Sequence, residues 1–158
     1  MVRRLLISLA LLGVSACSSV PTPTYRDYEV RTQPAPSDSV LTASLRLSAE
    51  AAGWTLAPQR TPGMVTTVMR PVPGGTLSRT TAGLDLVPLN AGVSHGARYV
   101  RVVVRAEQRS ALGGRSKVYA LDGRLRDALL GPIGEALAAR GLVALGTPRD
   151  RDEDATDD

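Results

Sequence analysis

Residues 98–109 read RYVRVVVRAEQR. In an extended chain, successive side chains point to opposite faces. Val100, Val102, Val104 and Ala106 therefore share one face. Tyr99, Arg101, Val103, Arg105, Glu107 and Arg109 share the other. One face is apolar and the other is wet, which predicts a strand of an antiparallel sheet buried on one side only. A strand covered on both faces reads instead as an unbroken apolar run.

The neighbouring segments extend that reading. Ala111-Leu112-Gly113-Gly114 predicts a hairpin loop leading into a strand over 115–121. Upstream, 54–56, 64–70, 76–80 and 84–89 are further strand candidates. They are separated by Pro62-Gly63 and Pro73-Gly74-Gly75, which read as turns. Pro58 and Pro88 can donate no backbone hydrogen bond, so they belong at strand ends or sheet edges.

Helical patterns flank this β region. Ser37 and Asp38 are good N-caps. Leu41, Leu45, Ala49 and Ala52 then form one apolar stripe, and Gly53 sits where a helix ends. Trp54 follows and is expected at the edge of the core. The second pattern starts at Asp122 and carries Leu125, Leu129, Ile133 and Leu137 at steps of four. Gly131-Pro132 interrupts it. A kink is expected there, or two short helices with Pro132 opening the second. Gly141 ends the pattern, and 142–145 packs as a short extension.

The order helix, strands, helix predicts an α+β fold. The expected form is a two-layer sandwich: an antiparallel sheet of four to five strands covered on one face by an N-terminal and a C-terminal helix. With no Phe, one Trp and four Tyr, the core has to be assembled from Val, Leu and Ala.

The N-terminus carries a different signal. Arg3 and Arg4 precede ten apolar residues, 5–14 (LLISLALLGV), then Ser15, Ala16 and the single cysteine, Cys17. That apolar run is about half of the ~20 residues a spanning helix needs, so it reads as a cleaved leader. Val14-Ser15-Ala16-Cys17 resembles the lipobox of bacterial lipoprotein precursors: an aliphatic residue, two small ones, then cysteine. The resemblance covers roughly the first 18 residues. It implies diacylglycerol on the Cys17 sulfur and cleavage before Cys17 by signal peptidase II. It also implies attachment to a membrane of the cell envelope through that lipid. In a bacterium with two membranes, Ser18 in place of aspartate implies the periplasmic face of the outer membrane. Otherwise the outer face of the cytoplasmic membrane is implied.

Four segments follow from these readings: a leader over 1–16, a lipidated proline-rich tether over 17–37, an α+β domain over 38–146 and a disordered acidic tail over 147–158. The tether holds Pro21, Pro23, Pro34 and Pro36. At about 3.1 Å per residue, its nineteen residues 18–36 would reach roughly 60 Å. Tyr28, Val30 and Thr32 alternate with Glu29 and Arg31, a pattern short enough for an edge strand inside it.

The formal charge of +4 is unevenly distributed. Setting aside Arg3, Arg4, Arg149 and Arg151, fifteen of the nineteen cations remain in 17–146. Six of the fifteen acids lie in the tail, which leaves nine and a net +6 for the segment. An exported chain meets no nucleic acid in the envelope, so that partner is set aside despite the basic balance. A lone cysteine excludes a disulfide within the chain.

Catalytic chemistry is hard to assemble from these residues. His95 is the only histidine. It lies in a glycine-containing loop with Ser94, and a hydrolase would need it paired with a hydroxyl such as Ser94 or Ser78 and an orienting acid. Zinc wants several His or Cys ligands. The domain's carboxylates, Asp38, Glu50, Asp85, Glu107, Asp122, Asp127 and Glu135, show no spacing that pairs two across a sugar. The acidic tail lacks the glycine and ligand spacing of a calcium loop. No catalytic residue, metal site or cofactor is therefore expected. The feature most open to binding is the row Arg101, Arg105, Arg109, suited to an anionic partner. Reversing the charge of Arg101 and Arg105 is expected to weaken partner recovery and to leave folding intact. The resulting expectation is a non-enzymatic interaction or scaffolding module that binds an envelope protein. The alternatives are a lipid or glycolipid carrier with an apolar cavity between helices and sheet, and a hydrolase centred on His95.

Overall fold

The computed structural model describes residues 23–72, 78–89, 98–110, 112–118 and 121–149. The chain is α+β, and the described residues form two helices and a seven-stranded open antiparallel sheet. The strands are β1 (Tyr25–Val30), β2 (Val65–Thr66), β3 (Arg70–Val72), β4 (Ser78–Leu89), β5 (Arg98–Ser110), β6 (Arg115–Val118) and β7 (Leu142–Arg149). The helices are α1 (Asp38–Ala51) and α2 (Gly123–Ala138).

β5 is the spine of the sheet. One of its edges pairs with β4 from Leu89↔Tyr99 to Ser78↔Ser110. Its other edge is shared: β1 takes residues 98–103, and β6 takes 106–109. β4 shares its far edge in the same way between β2 and β3. The expected alternation holds, with Val100, Val102, Val104 and Ala106 all buried. They join Ala82, Leu84 and Leu86 of β4, Leu41, Leu45 and Ala49 of α1, and Leu129, Ile133 and Leu137 of α2 in one core cluster.

The sheet has more strands than the four to five expected, mainly because it recruits both flanks of the domain. Residues 25–30, placed by sequence in the tether, form a strand between β5 and β7 rather than an edge. Tyr28 is fully buried there, opposite Val100. Residues 142–149, read as a short extension and the start of the tail, pair along the free side of β1. Six residues of which three, Arg26, Asp27 and Glu29, are charged carry too weak an apolar signal to announce an interior strand. Two long-range partners supply the burial that local sequence does not.

Other differences are local. The candidates 76–80 and 84–89 are one continuous strand, β4. The candidate 54–56 contributes a single bridge, Leu56↔Thr67, and 64–70 splits between β2 and the start of β3. α1 begins as expected, with the Ser37 side chain accepting from the Val40 N–H. Asp122 caps α2 in the same way, through the Leu125 N–H at 2.8 Å.

α2 does not break at Pro132 but runs through it as one helix. A proline in mid-helix removes one backbone bond and crowds the carbonyl four residues earlier, at a cost of about 3 kcal/mol. Leu129 and Leu130 before it, and Ile133 and Leu137 after it, are all buried, so packing on both sides holds the helix together. Gly141 then turns the chain into β7 at φ +79°, a conformation in which any side chain is strained. A Cβ there would also lie 2.8 Å from Thr32 Cγ2.

The Tyr28 ring ends beneath α2, where a Cβ on Gly134 would come within 3.2 Å of its hydroxyl. That hydroxyl is buried with no partner at hydrogen-bond geometry. Burial pushes the phenol above its usual 10.0, and the nearby Arg26 guanidinium pulls it back less strongly. The folded state therefore holds this proton more tightly than the unfolded chain. The stability linked to it is complete below about pH 10 and falls as the pH rises toward the raised value.

Two outcomes are expected. Pro132→Ala should stabilise the domain by about 1–3 kcal/mol in urea unfolding, because it restores the missing bond without touching the core. Tyr28→Phe should be stability-neutral within about 1 kcal/mol at pH 7, since it removes an unpartnered hydroxyl. Its loss of stability above pH 10 should be shallower than that of the parent chain.

Candidate functional site

Cross-strand register decides which charges meet on the outer face of the sheet. Asp27 of β1 lies directly opposite Arg101 of β5. The two form a bidentate pair: Arg101 Nε donates to Asp27 Oδ1 and Nη2 to Oδ2, each at 2.8 Å. The Arg101 guanidinium also lies over the Tyr25 ring, 4.0 Å from its centre. The hydrogen bond to Asp27 raises the Arg101 pKa, and partial burial opposes the rise.

Arg105 is used differently. It faces Gly83 of β4 across the ladder. A Cβ on Gly83 would sit 3.0 Å from the Arg105 Nη2 and 2.9 Å from Met69 Sδ. The missing side chain opens a path over the β4 backbone. Arg105 takes that path to donate to the Thr67 carbonyl at 2.7 Å. Its Nε lies 3.0 Å from Asp85 Oδ1, but neither atom is aligned for a hydrogen bond. The contact is therefore one of charge alone.

The expected binding row thus divides. Arg101 and Arg105 are committed to partners within the sheet, and only Arg109 remains exposed without an ion pair among the described residues. The sequence could not separate them. Their partners lie 74, 20 and 38 residues away along the chain, at Asp27, Asp85 and Thr67. Gly83 was the one local hint, since a glycine inside a strand often marks close approach by another group.

Other charged residues are also occupied. Arg98 meets Asp38 at the start of α1, and Arg31 donates to Glu29 at 2.8 Å. Arg70 donates to the Gly53 carbonyl at 2.6 Å and lies over Trp54, 3.7 Å from the ring centre. Trp54 does sit at the core edge, as expected, and Arg70 is its lid. Among the described residues no three His, Cys, Asp or Glu side chains come together as a metal cluster. No helix among them is long and apolar enough to cross a membrane. Cys17, Ser18, Ser94, His95 and residues 150–158 lie outside the described residues, as does the Ser78 side chain.

Two surface depressions stand out among the described residues. One, of about 520 Å³, runs between the end of α1 and α2, along Ala52, Gly53, Pro132, Glu135, Ala136 and Arg140. The other, of about 200 Å³, lies where the β1–β7 register shifts, beside Asp27 and Gly146. Neither lies between helices and sheet, where the carrier reading places its cavity.

The Asp27–Arg101 pair makes a sharp expectation. In a double-mutant cycle with Asp27→Asn and Arg101→Gln, the coupling energy should be about 0.5–1.5 kcal/mol and should shrink in high salt. Reversing Arg101 and Arg105 together should destabilise the fold rather than spare it. Urea unfolding of the four proteins of the cycle and of the reversed variant measures both effects.

No protein-family model matches the chain, and a search of the curated proteins finds no relative.

Proposed function

We propose that this chain is a lipid-anchored protein of the bacterial cell envelope whose α+β domain is a non-enzymatic interaction module held close to the membrane. The observation that carries the reading is the run from Arg3 to Cys17: two cations, ten apolar residues, two small residues and the chain's single cysteine. One acyl chain binds a bilayer only marginally, whereas two or more hold stably.

The fold adds a distance to this reading. β1 begins at Tyr25, so seven residues, 18–24, separate Cys17 from the sheet. At about 3.1 Å per residue, a fully extended stretch of that length reaches roughly 22 Å, about a third of the tether expected from sequence. A domain so held can engage only partners near the membrane surface.

The finer architecture belongs to the same proposal. The two helices form one layer over the valine face of the sheet, and the single core cluster that joins them to that face supports it. The opposite face and the outer edge of β7 then remain for a protein partner. Val143 and Leu145 are partly exposed on that edge strand, and its free backbone groups suit strand addition.

Mass spectrometry of the N-terminal peptide from membranes should show Cys17 at the terminus carrying diacylglycerol. Cys17→Ser should abolish that modification and release from the leader. A wild-type peptide with an unmodified thiol, or a chain cleaved elsewhere, would overturn the anchor. Recovery of a specific envelope protein with the acylated chain, lost when Val143 and Leu145 are changed to Lys, is expected of the interaction module.

A further inference from the structure

The outer face of the sheet carries a second, unneutralised set of cations. Arg79, Arg109 and Arg115 lie abreast on β4, β5 and β6. One row nearer the middle of the sheet, Lys117 lies opposite Glu107. All five side chains are exposed. No ion pair among the described residues involves the four cations, in contrast to Arg101 and Arg105. Like charges directly opposite one another destabilise a sheet, so three arginines abreast call for an anion.

The strand lanes indicate where one comes from. Arg149, Tyr25 and Val103 lie at one level across β7, β1 and β5. β7 runs antiparallel to β1, and β1 antiparallel to β5, so β7 advances in the same direction as β5. Beyond Val103 the lane of β1 passes to β6, which begins its pairing at Ala106↔Val118. β6 pairs only with β5 among the described residues, so the lane of β7 stays open beside it. At about 3.3 Å per residue, Glu107 is roughly 13 Å and Arg109 roughly 20 Å beyond the level of Arg149. The next residues of the chain, 150–158, span up to about 30 Å by the same measure. They carry Asp150, Asp152, Glu153, Asp154, Asp157 and Asp158 against a single cation, Arg151.

We propose that the acidic segment 150–158 docks in the open lane beside β6, its carboxylates facing Lys117, Arg115 and Arg109. Direction, reach and charge all agree on this occupant. Exposed ion pairs are weak singly. A segment joined directly to β7, however, meets the row at an effective concentration in the millimolar range, and several pairs form together. The contact covers the basic end of the sheet, and salt releases it because screening acts over about 8 Å at physiological ionic strength.

Lys117 is the only lysine in the chain, which makes the test direct. A zero-length carbodiimide is applied to the full chain, and the links from Lys117 are read by mass spectrometry. Glu107, its cross-strand neighbour, serves as an internal reference. In monomer at low salt, links from Lys117 to residues 150–158 are expected. They should fall at least about fivefold in 0.5 M salt, and similarly in Arg109→Ser/Arg115→Ser. In parallel, amide NMR shifts of the chain are compared with those of one ending at Arg149, which retains every core residue. Differences should reach residues 107–109 and 115–118.

Links to Glu107 alone, with shift differences confined to β7, would overturn the proposal. Tail links insensitive to salt and to the arginine substitutions would do the same, because they report only random encounter. Tail links found only in covalent dimers would assign the row to a second copy. If the full chain binds vesicles of anionic phospholipid through these arginines as tightly as the chain ending at Arg149, the row faces a membrane instead.

Discussion

β5 has to satisfy two demands along its length. Its backbone must be paired on both edges, and its two faces must be matched to opposite surroundings. β4 meets the first demand on one edge without a break. On the other edge no single segment is long enough, and β1 and β6 divide the work. Most of the remaining architecture follows from that division. β1 needs a partner of its own, which is β7, and beyond β1 the far edge of β6 is unpaired among the described residues.

The two faces of β5 are resolved by different physics. Inward, Val100, Val102 and Val104 give up water in a core cluster that also holds residues of both helices, and each buried side chain of this kind contributes about 1.5–3 kcal/mol. Outward, arginines would repel one another if left alone. Asp27 and Asp85 neutralise two of them, and the absence of a side chain at Gly83 lets Arg105 cross the neighbouring strand. The outer face is thus a structural network near its middle and, at its distal end, a cationic surface with no ion pair among the described residues. A row that looks uniform along the strand has two distinct electrostatic roles.

The domain's placement follows from the same topology. Because β1 is interior, the folded unit starts within a few residues of Cys17. A long spacer gives way to a short one, and the proposed anchor and domain become close neighbours. β7 runs toward the end of the sheet where Arg79, Arg109 and Arg115 lie, so the proposed docking of the acidic segment rests on strand order rather than on proximity in sequence.

Local patterns alone determined the elements whose signals are strong and periodic: the alternation of β5, the Ser37-capped α1, the Asp122-capped second helix, the antiparallel return from β5 to β6 and the α+β class. They also carry the leader and lipobox resemblance on which the proposed localisation rests. Tertiary structure decided whatever depends on distant partners. Tyr25–Val30 is an interior strand only because β5 and β7 flank it, and α2 passes through Pro132 only because leucines on both sides are buried. Arg101 and Arg105 are committed only because carboxylates and a carbonyl from other strands reach them. Periodicity reports what a segment presents to its surroundings, whereas pairing energy depends on which segment arrives opposite it. That second quantity is set by the register of the whole sheet.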